Sequence, residues 1–223
     1  MDLEKSLDTA NDFRILLAEK ALSELEKLFN AIRLQRRREY LRKLKALVGD
    51  VQNVKYSYLS PKDLLNFDNF KRIVSTAMEI EEEVKRLEKD PITIQSLYWL
   101  EYLANLPDLL RRGETSRPFE AIRFFRGEIV SRNKINGLWL CNVDCGFKLN
   151  VVTNNDDFKP SKMALIAYLP PRTFGKSNYL SQGMFVCLSE GEKGEISLDE
   201  VRMVESLGEV DSIIFELVKG LKP

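Results

Sequence analysis

Between Phe119 and Ser189 the chain carries five short runs of β-branched, aromatic and apolar residues, with no room between them for a crossover helix. The runs are 119–130, 138–146, 149–154, 163–169 and 181–188. Turn-formers separate them: Asn136-Gly137, Gly146, Asn154-Asn-Asp-Asp157 and Gly175-Lys-Ser-Asn178. Strands this closely spaced and joined only by turns specify an antiparallel sheet curled into a small closed or half-closed barrel. A layered α/β sheet would need connections a dozen or more residues long.

The chain before this stretch reads as helical throughout. Residues 2–48 predict one long helix or two joined ones, because Ile15, Ala18, Leu22, Leu25, Phe29 and Ile32 recur at heptad-like spacing. Leu34, Leu41, Leu44 and Val48 continue the pattern after a shift in phase, and Gly49 is placed as a C-terminal stop. The register is too short for a sustained coiled coil, so the stripe is expected to pack inside a helical domain. Within it, Arg33-Leu-Gln-Arg-Arg-Arg-Glu-Tyr-Leu-Arg-Lys-Leu-Lys45 holds seven basic residues in thirteen. Helical spacing sets Arg33, Arg36 and Lys43 on one flank of the leucine stripe and Arg38, Arg42 and Lys45 on the other, with Arg37 turned toward the apolar sector. Such a run is either a solvated helix face or a grip on RNA phosphates. Arg36, Arg38, Arg42 and Lys43 are the candidate secondary contacts to RNA or to a partner.

Residues 51–59 read as a connector with some extended character. Ser60-Pro61-Lys-Asp63 then opens a new helix, Asp68 starts another, and Asp90-Pro91 repeats the start signature before an aromatic-rich helix. In that helix Tyr98, Trp99 and Tyr102 are expected to be packing residues. The polar stretch 111–117 marks a boundary. Beyond the strands, Ser197-Leu-Asp-Glu200 is a capping box, and an apolar segment follows Asp211. The expected architecture is therefore α+β in two domains: a helical domain (1–112), a linker (113–118), a five-stranded barrel (119–189) and a helical C-terminal extension (190–223). The extension is expected to pack on the barrel or to form a dimer interface.

Composition narrows the chemistry. The chain has no histidine, which removes histidine-based triads, histidine metal ligands and a histidine general base. Three cysteines, an odd number, do not form a disulfide framework. Cys141 and Cys145 share a strand face and read as small core residues. There is no Gly-rich phosphate cradle and no convincing carboxylate pair, so a non-enzymatic protein without cofactor or metal is expected. No run approaches a membrane span, and the N-terminus lacks the features of a secretory signal, so the cytoplasm is the expected location. The formal net charge is zero, but it is unevenly spread. Residues 117–189 contain ten basic and five acidic residues, and residues 190–223 contain four basic and nine acidic ones. A basic barrel is what a phosphate-binding surface requires.

Several barrel residues stand in a particular order: Gly127-Glu-Ile-Val130, Leu138-Trp-Leu-Cys-Asn-Val-Asp144-Cys-Gly146, Val152-Thr-Asn154, Ala167-Tyr-Leu-Pro-Pro-Arg172 and Ser181-Gln-Gly183-Met184. Over roughly 120–190 this resembles the tRNA-binding OB-fold domain appended to many bacterial methionyl-tRNA synthetases. Related domains occur in the β-subunit of bacterial phenylalanyl-tRNA synthetase, in eukaryotic multisynthetase accessory factors and as stand-alone dimeric tRNA-binding proteins. The family's His-Pro-x-Ala-Asp-Lys-Leu segment before the second strand is replaced here by Asn133-Lys-Ile-Asn-Gly-Leu138. The resemblance implies a structure-specific tRNA-binding protein, related to the synthetases and acting as an accessory that presents or stabilises tRNA. It further implies an aminoacyl-tRNA synthetase as partner and a homodimer. Its RNA contacts would be Asn154, Arg172, Lys176, Ser181, Gln182, Met184 and Arg126. A general single-stranded nucleic-acid binder and a protein–protein scaffold are the competing readings.

Overall fold

The computed structural model describes residues 4–174 and 179–221. The chain divides into two compact units, Met1–Ala121 with Ser212–Pro223, and Ile122–Asp211.

The first unit is helical: α1 (Phe13–Phe29), α2 (Arg37–Lys55), α3 (Pro61–Asn66), α4 (Asp68–Val84), α5 (Pro91–Ala104) and α6 (Leu106–Arg111). Its starts are set by local chemistry. Asp12 accepts the Arg14 amide at the start of α1, the Ser60 hydroxyl accepts the Asp63 amide, and Asp90 accepts the Thr93 amide. Proline at the first turn of α3 and α5 removes a donor that would have had no partner. α1 and α4 each pack on both α2 and α5. The expected stripe Ile15, Ala18, Leu22, Leu25, Phe29 and Ile32 is buried throughout, and Tyr98, Trp99 and Tyr102 are core residues in edge-to-face contact.

Two expectations about the first helices need correction. The chain turns between Phe29 and Arg37, so Arg33 and Arg36 precede α2 rather than lie within it. This turn lets α2 fold back antiparallel on α1, with Lys45 paired to Glu26 and Lys55 to Glu19. Gly49 does not stop α2, and the expected connector from Val51 begins as helix. Tyr40, Leu44, Leu47, Val51 and Val54 form one buried stripe, and burying the last two valines outweighs the roughly 1 kcal/mol that an internal glycine costs.

Arg14 is the largest fully buried side chain of the helical unit. Its Nε and NH2 groups donate to the two carboxylate oxygens of Asp12 at 2.9 and 2.6 Å, and NH1 donates to the carbonyls of Leu109 and Gly113 at 2.9 and 2.8 Å. A charge-paired guanidinium thus ties the start of α1 to the end of α6. Lys55, also buried, pairs with Glu19 and donates to the Leu221 carbonyl, which fastens the last described residue to this unit. The sequence reading had placed that segment with the barrel or at a dimer interface.

The second unit is an antiparallel sheet of β1 (Phe124–Ile135), β2 (Leu138–Asp144), β3 (Lys148–Thr153), β4 (Met163–Phe174), β5 (Tyr179–Leu188) and a short β6 (Gly194–Glu195), followed by α7 (Leu198–Arg202); α8 (Gly208–Val218) belongs from Ser212 onward to the helical unit. The strand order is β3-β2-β1-β4-β5, with β6 on β1. The first apolar run starts later than its composition suggests, because Pro118–Ala121 is a single 3-10 turn of the helical unit. Asn136 and Gly137 both take positive φ, as a two-residue hairpin turn requires. A bulge leaves Val130 unpaired and exposed where β1 bends. Gly183 has a steric reason to be glycine: a Cβ there would lie 2.5 Å from the Ala167 carbonyl of the neighbouring strand.

The backbone ladder is open between β3 and β5, and side chains bridge it. The Ser181 hydroxyl accepts the Val152 amide at 2.9 Å and donates to the Gly183 carbonyl, and the Gln182 side-chain oxygen accepts the Asn150 amide at 3.1 Å. Two outward N–H groups of β3 are thereby satisfied without a sixth ladder. Phe158, between β3 and β4, stacks on Phe185 at 4.3 Å and fills the buried side.

Two measurements check these assignments. Asp12→Ala should cost about 3–5 kcal/mol in urea unfolding, because it strands the Arg14 charge in the core, whereas Lys62→Ala, which breaks the exposed Lys62–Glu4 pair, should change stability by no more than about 1 kcal/mol. Ser181→Ala should destabilise the sheet unit by about 1–3 kcal/mol and raise the hydrogen-exchange rate of the Val152 amide.

Candidate nucleic-acid interface

The pairing register gathers several polar side chains at one end of the sheet. Lys134 of β1 stands opposite Trp139 of β2, which stands opposite Thr153 of β3. Asn154 follows at the end of β3 and is exposed. On the other side, Arg172 of β4 is exposed and stands opposite Ser181 of β5, whose hydroxyl holds Val152, two residues before Asn154. The bridge between β3 and β5 therefore links the end of β3, which leads to Asn154, to the strand partner of Arg172.

This edge is held in shape by a turn whose polar groups are already committed. Thr153 Oγ1 accepts the Asn155 amide, Asn155 Oδ1 accepts the Asp157 amide, and the Asp156 carboxylate accepts the Trp139 indole N–H at 2.7 Å. Arg132 donates to the carbonyls of Asp156 and Phe158 while its guanidinium lies 4.0 Å from the Trp139 ring centre, and the Lys134 ammonium is 5.4 Å from the same ring. Amid these bonds Asn154 has no side-chain partner among the described residues. Arg172 likewise makes no ion pair among them. An exposed amide and an exposed guanidinium on a braced edge suit hydrogen bonding to ribose or base edges and to phosphate respectively.

The other sequence-predicted contacts fare differently. Ser181 is buried, and it and Gln182 are used in the bridge between β3 and β5. Arg126 is also buried: it donates to the Ser189 hydroxyl at 2.9 Å and pairs with Glu200 of α7. The polar groups of these three residues are engaged within the sheet unit. Met184 is half-buried opposite Ala167. Lys176 lies outside the described residues. Trp139, Arg132 and Lys134 were missed by the sequence reading. The signal available was a tryptophan flanked by cations across the Asn136-Gly137 turn, legible only once the hairpin register is known.

The uneven charge is partly an effect of chain order. Glu195 and Glu200, counted with the acidic tail, neutralise Arg123, just before β1, and Arg126 of β1, and Lys193 pairs with Glu128 and Asp144 at 2.7 and 2.9 Å. Hydrogen bonds from Lys193 and from the Gly146 amide hold the Asp144 carboxyl below its usual range. The sheet is therefore less basic than its segment of sequence. What remains without an ion pair among the described residues is a smaller set of exposed cations that includes Lys159, Lys162 and Arg172. Burial pushes the Cys141 thiol up to about 11 and the Cys145 thiol up to about 12, away from the reactive thiolate form.

On the helical unit, the four candidate cations divide into two kinds. Arg36 is bidentate to Glu39, with a bond that raises its pKa, and Lys43 bridges Glu79 and Glu39. Both lie near the ring of buried Tyr40. Arg38 and Arg42 are exposed and make no ion pair among the described residues. Arg37, expected to face the apolar sector, instead reaches back to the Asn30 carbonyl.

Among the described residues no helix is long and apolar enough to cross a membrane. Residues 6–113, just under half of the chain, match the family model described as an alpha helical domain. No curated protein matches the chain. What the comparisons support is an N-terminal helical domain of that description, closing close to where Arg14 meets the Gly113 carbonyl.

Proposed function

We propose that the sheet unit is an OB-like module that binds structured RNA of the tRNA class, and that the protein acts as a binding accessory without chemistry of its own. The observation that carries this reading is the strand order β3-β2-β1-β4-β5 with β3 and β5 joined through Ser181 and Gln182. A five-stranded sheet bridged in that order is the arrangement of small barrels that hold nucleic acid across their strand face and flanking loops. The bridge joins β3, which leads to Asn154, to Ser181, the strand partner of Arg172. In the tRNA-binding family that the motifs resemble, such a module raises the local tRNA concentration for an aminoacyl-tRNA synthetase, and a cytoplasmic homodimer is the form its stand-alone members take.

One observation favours folded RNA over unstructured strands. Single-strand binders offer aromatic faces on which successive bases stack. The one tryptophan at this edge instead has cations at 4.0 and 5.4 Å from its ring and its N–H bonded to Asp156, so it orients Arg132 and Lys134 and leaves the ligand to the charges. Cations on a braced edge contact a phosphate backbone whose shape is fixed by the RNA itself.

The test is binding of the full chain to folded tRNA, the same tRNA denatured, duplex RNA and single-stranded DNA across a salt series. A preference for folded tRNA is expected. Arg172→Ala should reduce affinity severalfold and lower the salt slope by about 1 with the fold intact by circular dichroism. Equal affinity for every polyanion would replace this reading with general nucleic-acid binding, and absence of binding at low salt would overturn it in favour of a protein scaffold.

A further inference from the structure

Many cations of the helical unit are paired with acids. Lys20 and Lys27 share Glu24, Lys85 pairs with Glu81 and Glu82, Arg86 with Glu83, Arg72 with Asp50, Arg111 with Asp108, and Lys62 with Glu4. Most of these are contacts one helical turn apart, the ordinary device for a solvated helix face. Arg38 and Arg42 break the pattern. They stand four residues apart on α2, where like charges repel and destabilise the helix by a few tenths of a kcal/mol. The acid that would serve Arg42, Glu39 three residues before it, is already taken by Arg36 and Lys43. Arg33, in the turn just before α2, is exposed and also without an ion pair. Among the described residues the three guanidiniums are left without an acid, and Arg38 and Arg42 are adjacent on one helix face.

We propose that Arg33, Arg38 and Arg42 form a second, sequence-independent contact to the RNA phosphate backbone, on the helical unit. This deepens the reading above and rests on it in one respect, that the ligand is RNA. One turn of α2 advances Arg38 to Arg42 by about 6 Å, close to the separation of successive phosphates along a strand. Arg33 adds a third exposed guanidinium in the turn just before the helix. Protein interfaces of this size are built around exposed apolar anchors. The first large exposed apolar residue along α2 is Val48, beyond the basic row, and Tyr40 is buried beneath Arg36 and Lys43. The surface therefore has charge without an apolar centre, which suits a polyanion and not an acidic protein. Because the contact reads phosphates only, it adds affinity and salt dependence but no choice among RNAs.

The experiment uses the full chain with folded tRNA as probe, measuring affinity from low to moderate salt. The variant Arg38→Glu/Arg42→Glu changes two exposed side chains that hold nothing together, so its melting temperature should match the parent. Its tRNA affinity should fall at least tenfold at low salt and its salt slope should drop by about 2. The comparator Lys62→Glu/Lys85→Glu makes the same change in net charge at compensated positions and should shift affinity by less than twofold. Equal losses in both variants would show a net-charge effect and overturn the proposal, as would parental affinity in Arg38→Glu/Arg42→Glu. If polyglutamate competes with tRNA at equal charge, the surface is a protein-docking one and the proposal fails. Loss on Arg172→Ala with no loss on Arg38→Glu/Arg42→Glu rejects the helical contact and keeps the sheet, and the reverse pattern rejects the sheet and keeps α2.

Discussion

The buried guanidinium of Arg14 sets the terms for the helical unit. A charge removed from water is tolerable only when its donors are satisfied, and here two carboxylate oxygens and two carbonyls satisfy them. The carboxylate comes from Asp12, which also caps α1, so one residue both starts the helix and neutralises its second position. The carbonyls come from the end of α6 and the residue after it, roughly 95 positions later. Geometry this demanding cannot be met until α1 and α6 are both in place. The unit is therefore closed by a polar constraint on top of its apolar stripe, and the limits of the matched helical region, 6–113, fall close to the two ends that the constraint joins.

In the sheet unit the corresponding constraint is the gap between β3 and β5. Antiparallel strands leave N–H groups pointing outward at each edge, and an edge must be paired, covered or otherwise satisfied. Ser181 and Gln182 do this with side chains, and Gly183 permits it by letting the β5 backbone run against Ala167. The same three consecutive residues give the Ser-x-Gly-Met motif its pattern. A motif that suggests a ligand is thus, in its first three positions, a device that satisfies a sheet edge.

How much was legible in the sequence follows from how local each determinant is. Helix starts at Ser60, Asp90 and Ser197 were readable because a cap and its amide lie within three residues. The strand runs and the Asn136-Gly137 turn were readable for the same reason. Gly49 misled, because a glycine stops a helix only when no apolar residues beyond it have a core to enter, and Val51 and Val54 do. Arg126 and Ser181 misled because their partners, Glu200 and Val152, are separated from them by long stretches of chain. Trp139 was overlooked since its meaning depends on Lys134, Arg132 and Asp156 arriving from three directions. Residue type announces which groups want partners, and only the fold says which of them have found one.

That distinction decides where function is sought. Lysine and arginine together number 34 and match the acids one for one, so total charge carries no information about a polyanionic ligand. Pairing does. Where Arg123, Arg126 and Lys193 meet acids, the charges are absorbed into structure, and Arg36 and Lys43 are absorbed in the same way on α2. A chain with equal numbers of acids and bases has the means to compensate every cation. Leaving Arg38 and Arg42 one turn apart with no acid is a local electrostatic cost that folding does not require. Arg172, exposed near the end of β4 and without an ion pair among the described residues, is the corresponding residue on the sheet. A ligand carrying regularly spaced negative charge relieves that cost at both places, and a neutral or mixed-charge partner relieves it at neither.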